Sequence, residues 1–219
     1  MKFLSAYFKD FFFQKRCPIC SSPYQSEDAL CADCLALLEK NKEERKLITA
    51  DNKAAAIYFY GPYKGVLREI ILKWKFKEKL ELSRIMKKLA CEAAIQISNP
   101  PDVIIPIPLH PSRLKKRGFN QSLILAKAVG RCLDRPVEAN ILKRVRKTTP
   151  QAGLNAQDRK KNLTGAFEVS PDKISGRKVL LVDDILTTGT TTAECCDLLK
   201  MAGCTGTEIL VIARTPIHG

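Results

Sequence analysis

The sequence holds no run of about 18 uninterrupted apolar residues, the length an α-helix needs to cross a bilayer, so a membrane-spanning class is not expected. No small-residue cleavage site precedes the first cysteine, Cys17, so a secretory leader is not expected either and cytoplasmic residence is the default. No G-x4-G-K-[ST] phosphate loop is present, which removes the P-loop nucleotide hydrolases, and no internal repeat is visible, which removes the solenoids. Acid is scarce: 23 Asp and Glu face 37 Lys and Arg, leaving a formal charge of +14. Polyanions such as nucleic acid become candidate partners, although charge alone specifies none. What remains is of globular composition, 45% hydrophobic and 27% charged. The 219 residues suit one α/β domain of roughly 150 residues with a small appendage.

Four of the nine cysteines form a pattern, Cys17-Pro-Ile-Cys20 and Cys31-Ala-Asp-Cys34. Two Cys-x2-Cys turns supply the four thiolates of a closed, structural Zn2+ site, with the decapeptide SSPYQSEDAL between them making the knuckle compact. Two disulfides are the competing use of the same residues, disfavoured in a reducing compartment. The other five, Cys91, Cys132, Cys195, Cys196 and Cys204, read as small core residues, with a redox role conceivable for Cys195 and Cys196.

Apolar residues at Phe3, Leu4, Tyr7, Phe8, Phe11 and Phe12 make a helical stripe expected to dock on the protein's own core. A charged helix follows Cys34, and ITADNK breaks it, which places a boundary near residue 50: a zinc knuckle with flanking helices over 1–50 and an α/β domain over 51–219. AAAIYFY reads as a strand, residues 63–97 as two helices, DVIIPIP as a buried strand, and RGFNQSLILAKAVGRCLD as a helix. The Lys-rich stretch 143–164 has no period and reads as a long mobile loop. The tail runs strand (178–183), helix (190–201), Gly203 as a stop, strand (207–214). That alternation predicts an open parallel sheet flanked by helices.

The chemistry concentrates in VLLVDDILTTGTTT, residues 179–192. Ligands of parallel sheets bind where strands end, and here a strand ends at Asp183-Asp184 before a Thr- and Gly-rich turn opens a helix. Gly189 can take a left-handed conformation, so the N–H groups and hydroxyls of Thr187, Thr188, Thr190 and Thr191 can surround a phosphate at the positive end of the helix. The two carboxylates would repel that phosphate. As ionised acceptors they suit vicinal sugar hydroxyls, and hydroxyls beside a terminal phosphate describe a ribose 5-phosphate. LLVDD could instead be a Walker B strand, but its partner loop is missing; a receiver domain would need more chain beyond Asp184 than this sequence supplies.

This peptide resembles the signature of type I phosphoribosyltransferases, and PIPLHPSRLKKRGFNQ (106–121), KTTPQAGLNAQDRKKNLTGAF (147–167) and the four-cysteine knuckle together resemble the ComF family of that superfamily. The resemblance implies a type I phosphoribosyltransferase-like open parallel sheet with a small zinc-binding domain before it. It implies a site for 5-phosphoribosyl 1-diphosphate with Mg2+, with pyrophosphate at Ile107, Pro108 and Leu109 and positive charge from Arg113 and Lys115 to Arg117. The loop carrying Lys147 and Arg159 would be a water-excluding lid, and these two would act in catalysis with Asp183 and Asp184. Where the family often has a Gly soon after a Lys-Phe pair, this chain has Lys75-Phe76 followed by Lys77-Glu78-Lys79, so no role is carried over for Lys75.

Three function classes stay open. A transferase needs an acceptor pocket, yet beyond Phe119 the only aromatic residue is Phe167, so no platform for a nucleobase is evident. The resemblance also implies a link to DNA uptake and its protein partners, and Lys73-Trp74-Lys75-Phe76-Lys77 has the composition to track single-stranded DNA, although a buried Trp74 on an amphipathic helix is the plainer reading. The third class is a zinc-knuckle adaptor whose transferase-like domain is a vestige.

Overall fold

A computed structural model of the chain describes residues 15–25, 29–40, 42–43, 56–76, 80–146 and 165–215. Its frame is a five-stranded parallel sheet of β3 (Ile57–Pro62), β4 (Val103–Pro106), β7 (Lys178–Val182), β8 (Ile185–Leu186) and β9 (Gly206–Arg214), ordered β3-β9-β7-β4, with β8 pairing the far end of β9. Side chains alternate across the sheet. Tyr58, Tyr60, Leu180 and Val182 point into one core, and Ile57, Phe59, Val179 and Leu181 into the other. Burial on both faces is why these strands read as continuous apolar runs. The expected open parallel sheet flanked by helices is what the chain forms.

The first core is closed by α2 (Gly65–Phe76), α3 (Ser83–Ala94) and α5 (Gln121–Leu133), through buried residues such as Ile70, Trp74, Leu89 and Leu125. The second is closed by α6 (Thr190–Met201) and an antiparallel ribbon of β5 (Leu142–Arg144) and β6 (Phe167–Val169). The ribbon corrects the expectation of structureless chain from residue 143, because Lys143 pairs with Glu168 and Arg144 with Phe167. A second correction concerns the helix expected over 117–134. The chain makes α4 (Pro111–Arg117), stops at Gly118 with φ +80, and restarts at α5, where the Asn120 side chain accepts a bond from Ser122 N–H at 3.0 Å.

The knuckle consists of the antiparallel pair β1 (Lys15–Arg16) and β2 (Pro23–Tyr24) followed by α1 (Ala32–Glu39). It shares the first core through Leu30 and Leu38. Lys73 on α2 donates to the carbonyls of Pro18 (2.6 Å) and Ile19 (3.2 Å), and the Tyr60 hydroxyl donates to Leu38 O at 3.3 Å. The stripe from Phe3 to Phe12 and the boundary near residue 50 lie outside the described residues.

Cys91 and Cys132 are not separate core residues as expected: a disulfide joins them, tying α3 to α5. Cys195 and Cys196 are buried in the second core, where burial pushes the Cys195 thiol far up, an environment that opposes the reactive thiolate a redox role needs. Among the described residues no helix is long and apolar enough to cross a membrane.

Candidate functional site

The carboxyl ends of β4 and β7 are tied together by the Ile107 N–H donating to Val182 O at 2.9 Å. A cleft of about 350 Å³ opens above them. One wall is the turn after β4, Ile107, Pro108 and Leu109, with Arg113 and Arg117 of α4 beside it. Asn120 fixes this wall, since its amide nitrogen donates to Ile107 O at 3.3 Å while its oxygen caps α5. Lys115 is exposed and does not line the cleft.

The opposite wall is the turn from β8 into α6. Gly189 has φ +73, a left-handed conformation, and Thr187, Gly189, Thr190 and Thr191 face the cleft. Thr192, not singled out in the sequence, locks the turn by donating its hydroxyl to Gly189 O at 2.8 Å. Thr188 does not line the cleft; its hydroxyl meets that of Thr190 at 2.9 Å.

Asp183 and Asp184 form the floor. Asp183 accepts from the Ser122 hydroxyl at 2.8 Å and from the Asp184 N–H at 2.9 Å. Burial and then the neighbouring Asp184 carboxylate push its carboxyl up to about 7, against the pull of Lys75 and these two donors. Asp184 is 7% exposed and pairs with Lys75 Nζ at 2.7 Å. Lys75 thus stands in the site despite the changed sequence after Phe76, held there because α2 ends over the strand termini.

Arg144 and Gln121 also went unnoticed in the sequence. Arg144 is buried in the cleft wall with its guanidinium 5.2 Å from the Phe167 ring centre. Desolvation pulls its pKa down, as it does for Arg117, which Asp184 and Asp183 draw back up. The Lys-rich surroundings of Arg144 hide it in sequence, because only pairing with β6 turns it inward. Lys147 and Arg159 lie outside the described residues.

The knuckle brings Cys17, Cys20, Cys31 and Cys34 together, their sulfurs all within 4.8 Å of one another. A tetrahedral Zn–S4 site needs sulfurs about 3.8 Å apart, from bonds of about 2.3 Å, so the four fit a metal. Three are buried and Cys20 is exposed. Hydrogen bonds from Ser22 pull the Cys20 thiol down to about 6, while burial and the neighbouring sulfurs push Cys34 up. Binding a divalent cation would draw the protons from all four thiols, and the cation would offset the repulsion of the resulting thiolates.

Residues 78–218 match the phosphoribosyl transferase domain family. The chain belongs to that family. It is 34% identical over 205 residues to competence protein F of Haemophilus influenzae, covering 90% of this chain and 84% of that one. It is 29% identical over 204 residues to DNA utilization protein YhgH of Escherichia coli, covering 91% and 84%. Competence protein ComFC of Bacillus subtilis is 28% identical over 178 residues, covering 80% of this chain and 67% of that protein. This is a ComF-family protein with a phosphoribosyl transferase domain, as the segments 106–121, 147–167 and 179–192 implied. The acidic pair and the Thr-rich turn both fall inside the matched region, whereas the cysteine knuckle precedes it.

Proposed function

We propose that the cleft binds 5-phosphoribosyl 1-diphosphate with Mg2+ and that the protein transfers the phosphoribosyl group to an acceptor, releasing pyrophosphate. The observation that carries this reading is the placement of an acidic floor between two anion-attracting walls. The turn at Gly189 offers backbone donors and hydroxyls to a 5-phosphate at the N-terminus of α6. Asp183 and Asp184 accept from ribose hydroxyls, and Arg113 and Arg117 beside Ile107 meet the pyrophosphate. Mg2+ takes oxygen ligands and keeps several waters, so the ligand's phosphates with the Asp183 carboxylate nearby suit it; when bound, it offsets charge on the departing pyrophosphate. Lys147 and Arg159 are assigned to a lid by the family resemblance alone. Zn2+ is the metal we assign to Cys17, Cys20, Cys31 and Cys34, in a structural role because all four positions are filled by protein.

The test is isothermal titration with phosphoribosyl diphosphate plus Mg2+ and, separately, with inorganic phosphate. Asp183→Asn and Asp184→Asn remove a charged acceptor and should each weaken the full ligand by about 1.5 to 3 kcal/mol while sparing inorganic phosphate. Gly189→Val should weaken both ligands. A Cβ at Gly189 would meet Thr192 Oγ1 at 3.8 Å and Leu186 Cδ1 at 3.9 Å, ordinary contacts, so the damage comes from forcing a branched residue to positive φ, not from crowding. Asn variants that bind the full ligand like wild type, or a Gly189→Val variant that binds phosphate normally, overturn the assignment.

A second reading, a role in DNA handling, is supported by the names of the relatives and by a basic strip on α3, α5 and the turn that follows α5. Lys88, Lys127, Arg131 and Arg135 are exposed there, along two shallow depressions that share Arg131. The strip lies on other residues than the cleft, so the two readings are compatible.

A further inference from the structure

Gln121 is the first residue of α5, is 1% exposed and faces the cleft. Its orientation is set by Arg117, whose Nη1 donates to Oε1 at 2.9 Å. A guanidinium has no acceptor, so the amide oxygen must face it and the nitrogen must turn the other way. There Nε2 is buried and has no hydrogen-bond partner among the described residues. Burying a donor without a partner is unfavourable, and such groups are rare in folded proteins.

The surroundings narrow what could satisfy it. Gln121, Asp183 and Asp184 line the same cleft, and the next residue of the helix, Ser122, bonds Asp183 at 2.8 Å. A phosphate would be repelled by the two carboxylates, and an ammonium would find the Lys75 cation already paired with Asp184. A hydroxyl suits both sides, because it donates its proton to a carboxylate and accepts from an amide through its oxygen.

We propose that Gln121 Nε2 donates to a ribose hydroxyl oxygen whose proton is given to the Asp183–Asp184 pair, so that Gln121 reads ribosyl against deoxyribosyl phosphates. This rests on the sugar-phosphate reading of the cleft. Asp183 and Asp184 hold any alcohol by its proton, and the amide adds the opposite half of the recognition.

The experiment is titration of the full chain with ribose 5-phosphate, 2,3-dideoxyribose 5-phosphate and inorganic phosphate. Wild type should prefer the ribose compound by about ten-fold or more, in line with hydrogen bonds to charged and buried groups. Gln121→Glu keeps an acceptor for Arg117 but cannot donate, and Gln121→Met is close in volume and does neither. Both should cut the ribose preference by about five-fold or more while inorganic phosphate binds as before. An unchanged preference in Gln121→Glu, or no preference in wild type, overturns the proposal and leaves the phosphate site standing. A variant that loses inorganic phosphate as well assigns Gln121 to holding Arg117 alone, which also overturns it. Wild type that binds none of the three probes refutes the sugar-phosphate reading itself, and this inference with it.

Discussion

Two carboxylates side by side at a strand end cannot both ionise freely once buried, and this chain resolves the conflict unequally. Asp184 takes Lys75 as a counter-ion, whereas Asp183 accepts from the Ser122 hydroxyl and the Asp184 N–H and has its carboxyl pushed up to about 7. An unfolded Asp titrates near about 3.9, so between roughly pH 4 and pH 7 the folded chain keeps a proton that the unfolded chain has lost. Stability from this group is therefore present at the acid end of that window and is lost as pH rises through it, by at most about 1.4 kcal/mol per pH unit, and is flat above it. Urea unfolding across pH 4.5 to 8 should show this slope in wild type, and Asp183→Asn should flatten it. A variant with the same slope as wild type places the proton elsewhere. At this scale the sequence was most informative where the chemistry is local. Asp183, Asp184 and Gly189 stand within one strand-turn-helix and could be read directly. Gln121 and Arg144 could not, because their roles depend on Arg117 and on Phe167, the first across the break between α4 and α5 and the second across a ribbon.

Among the elements, those with a clear pattern were legible: α6 over residues 190–201 and strands β3, β4, β7 and β9 stand where the apolar pattern put them, whereas the two-residue β8 had no signal of its own. α4 carries Leu114 as its one aliphatic residue and so shows no period, and Gly118 and Asn120, which separate it from α5, were absorbed into the helix expected from residue 117. The β5–β6 ribbon has three residues per strand, too short for any alternation to register, and the Cys91–Cys132 link depends on two helices meeting 41 residues apart. The knuckle is the element whose stability least resembles the rest. Its backbone pairing is two residues long in each strand, and its four cysteine sulfurs lie within 4.8 Å of one another. Zinc in small fingers contributes about 10 to 16 kcal/mol, so Cys17→Ser with Cys31→Ser should abolish bound zinc and expose residues 15–40 to hydrogen exchange. The Lys73 and Tyr60 contacts would be lost with it, while phosphate binding in the cleft should persist. Elemental analysis and exchange mapping check this. A wild-type protein free of zinc, or a double variant with unchanged protection, refutes the metal assignment.

Over the whole molecule the excess of 14 positive charges decides how a nucleic acid can be met. Stacking on the one tryptophan is ruled out by the fold. Trp74 is 0% exposed, its indole N–H is bonded to Ser83 Oγ at 2.9 Å, and its ring lies 6.0 Å from that of Phe119. The cation-aromatic alternation around it therefore offers no platform at Trp74, and the expected preference for single strands loses its basis. What remains is attraction to phosphates, with the strip of Lys88, Lys127, Arg131 and Arg135 as its best-placed surface. Such binding depends on counterion release, so log affinity should fall linearly with log salt, and duplex DNA, with the higher charge density, should bind at least as tightly as a single strand of equal length. Replacing Lys88, Lys127 and Arg131 together by Gln should lower the slope for single strands by about 2, since each phosphate contact contributes about 0.7. Phosphoribosyl diphosphate titration should be unaffected, because none of the three lines the cleft. Fluorescence anisotropy over a salt series separates the outcomes. An unchanged slope moves the DNA contact off this face, and an absence of binding even at low salt removes the DNA-handling reading.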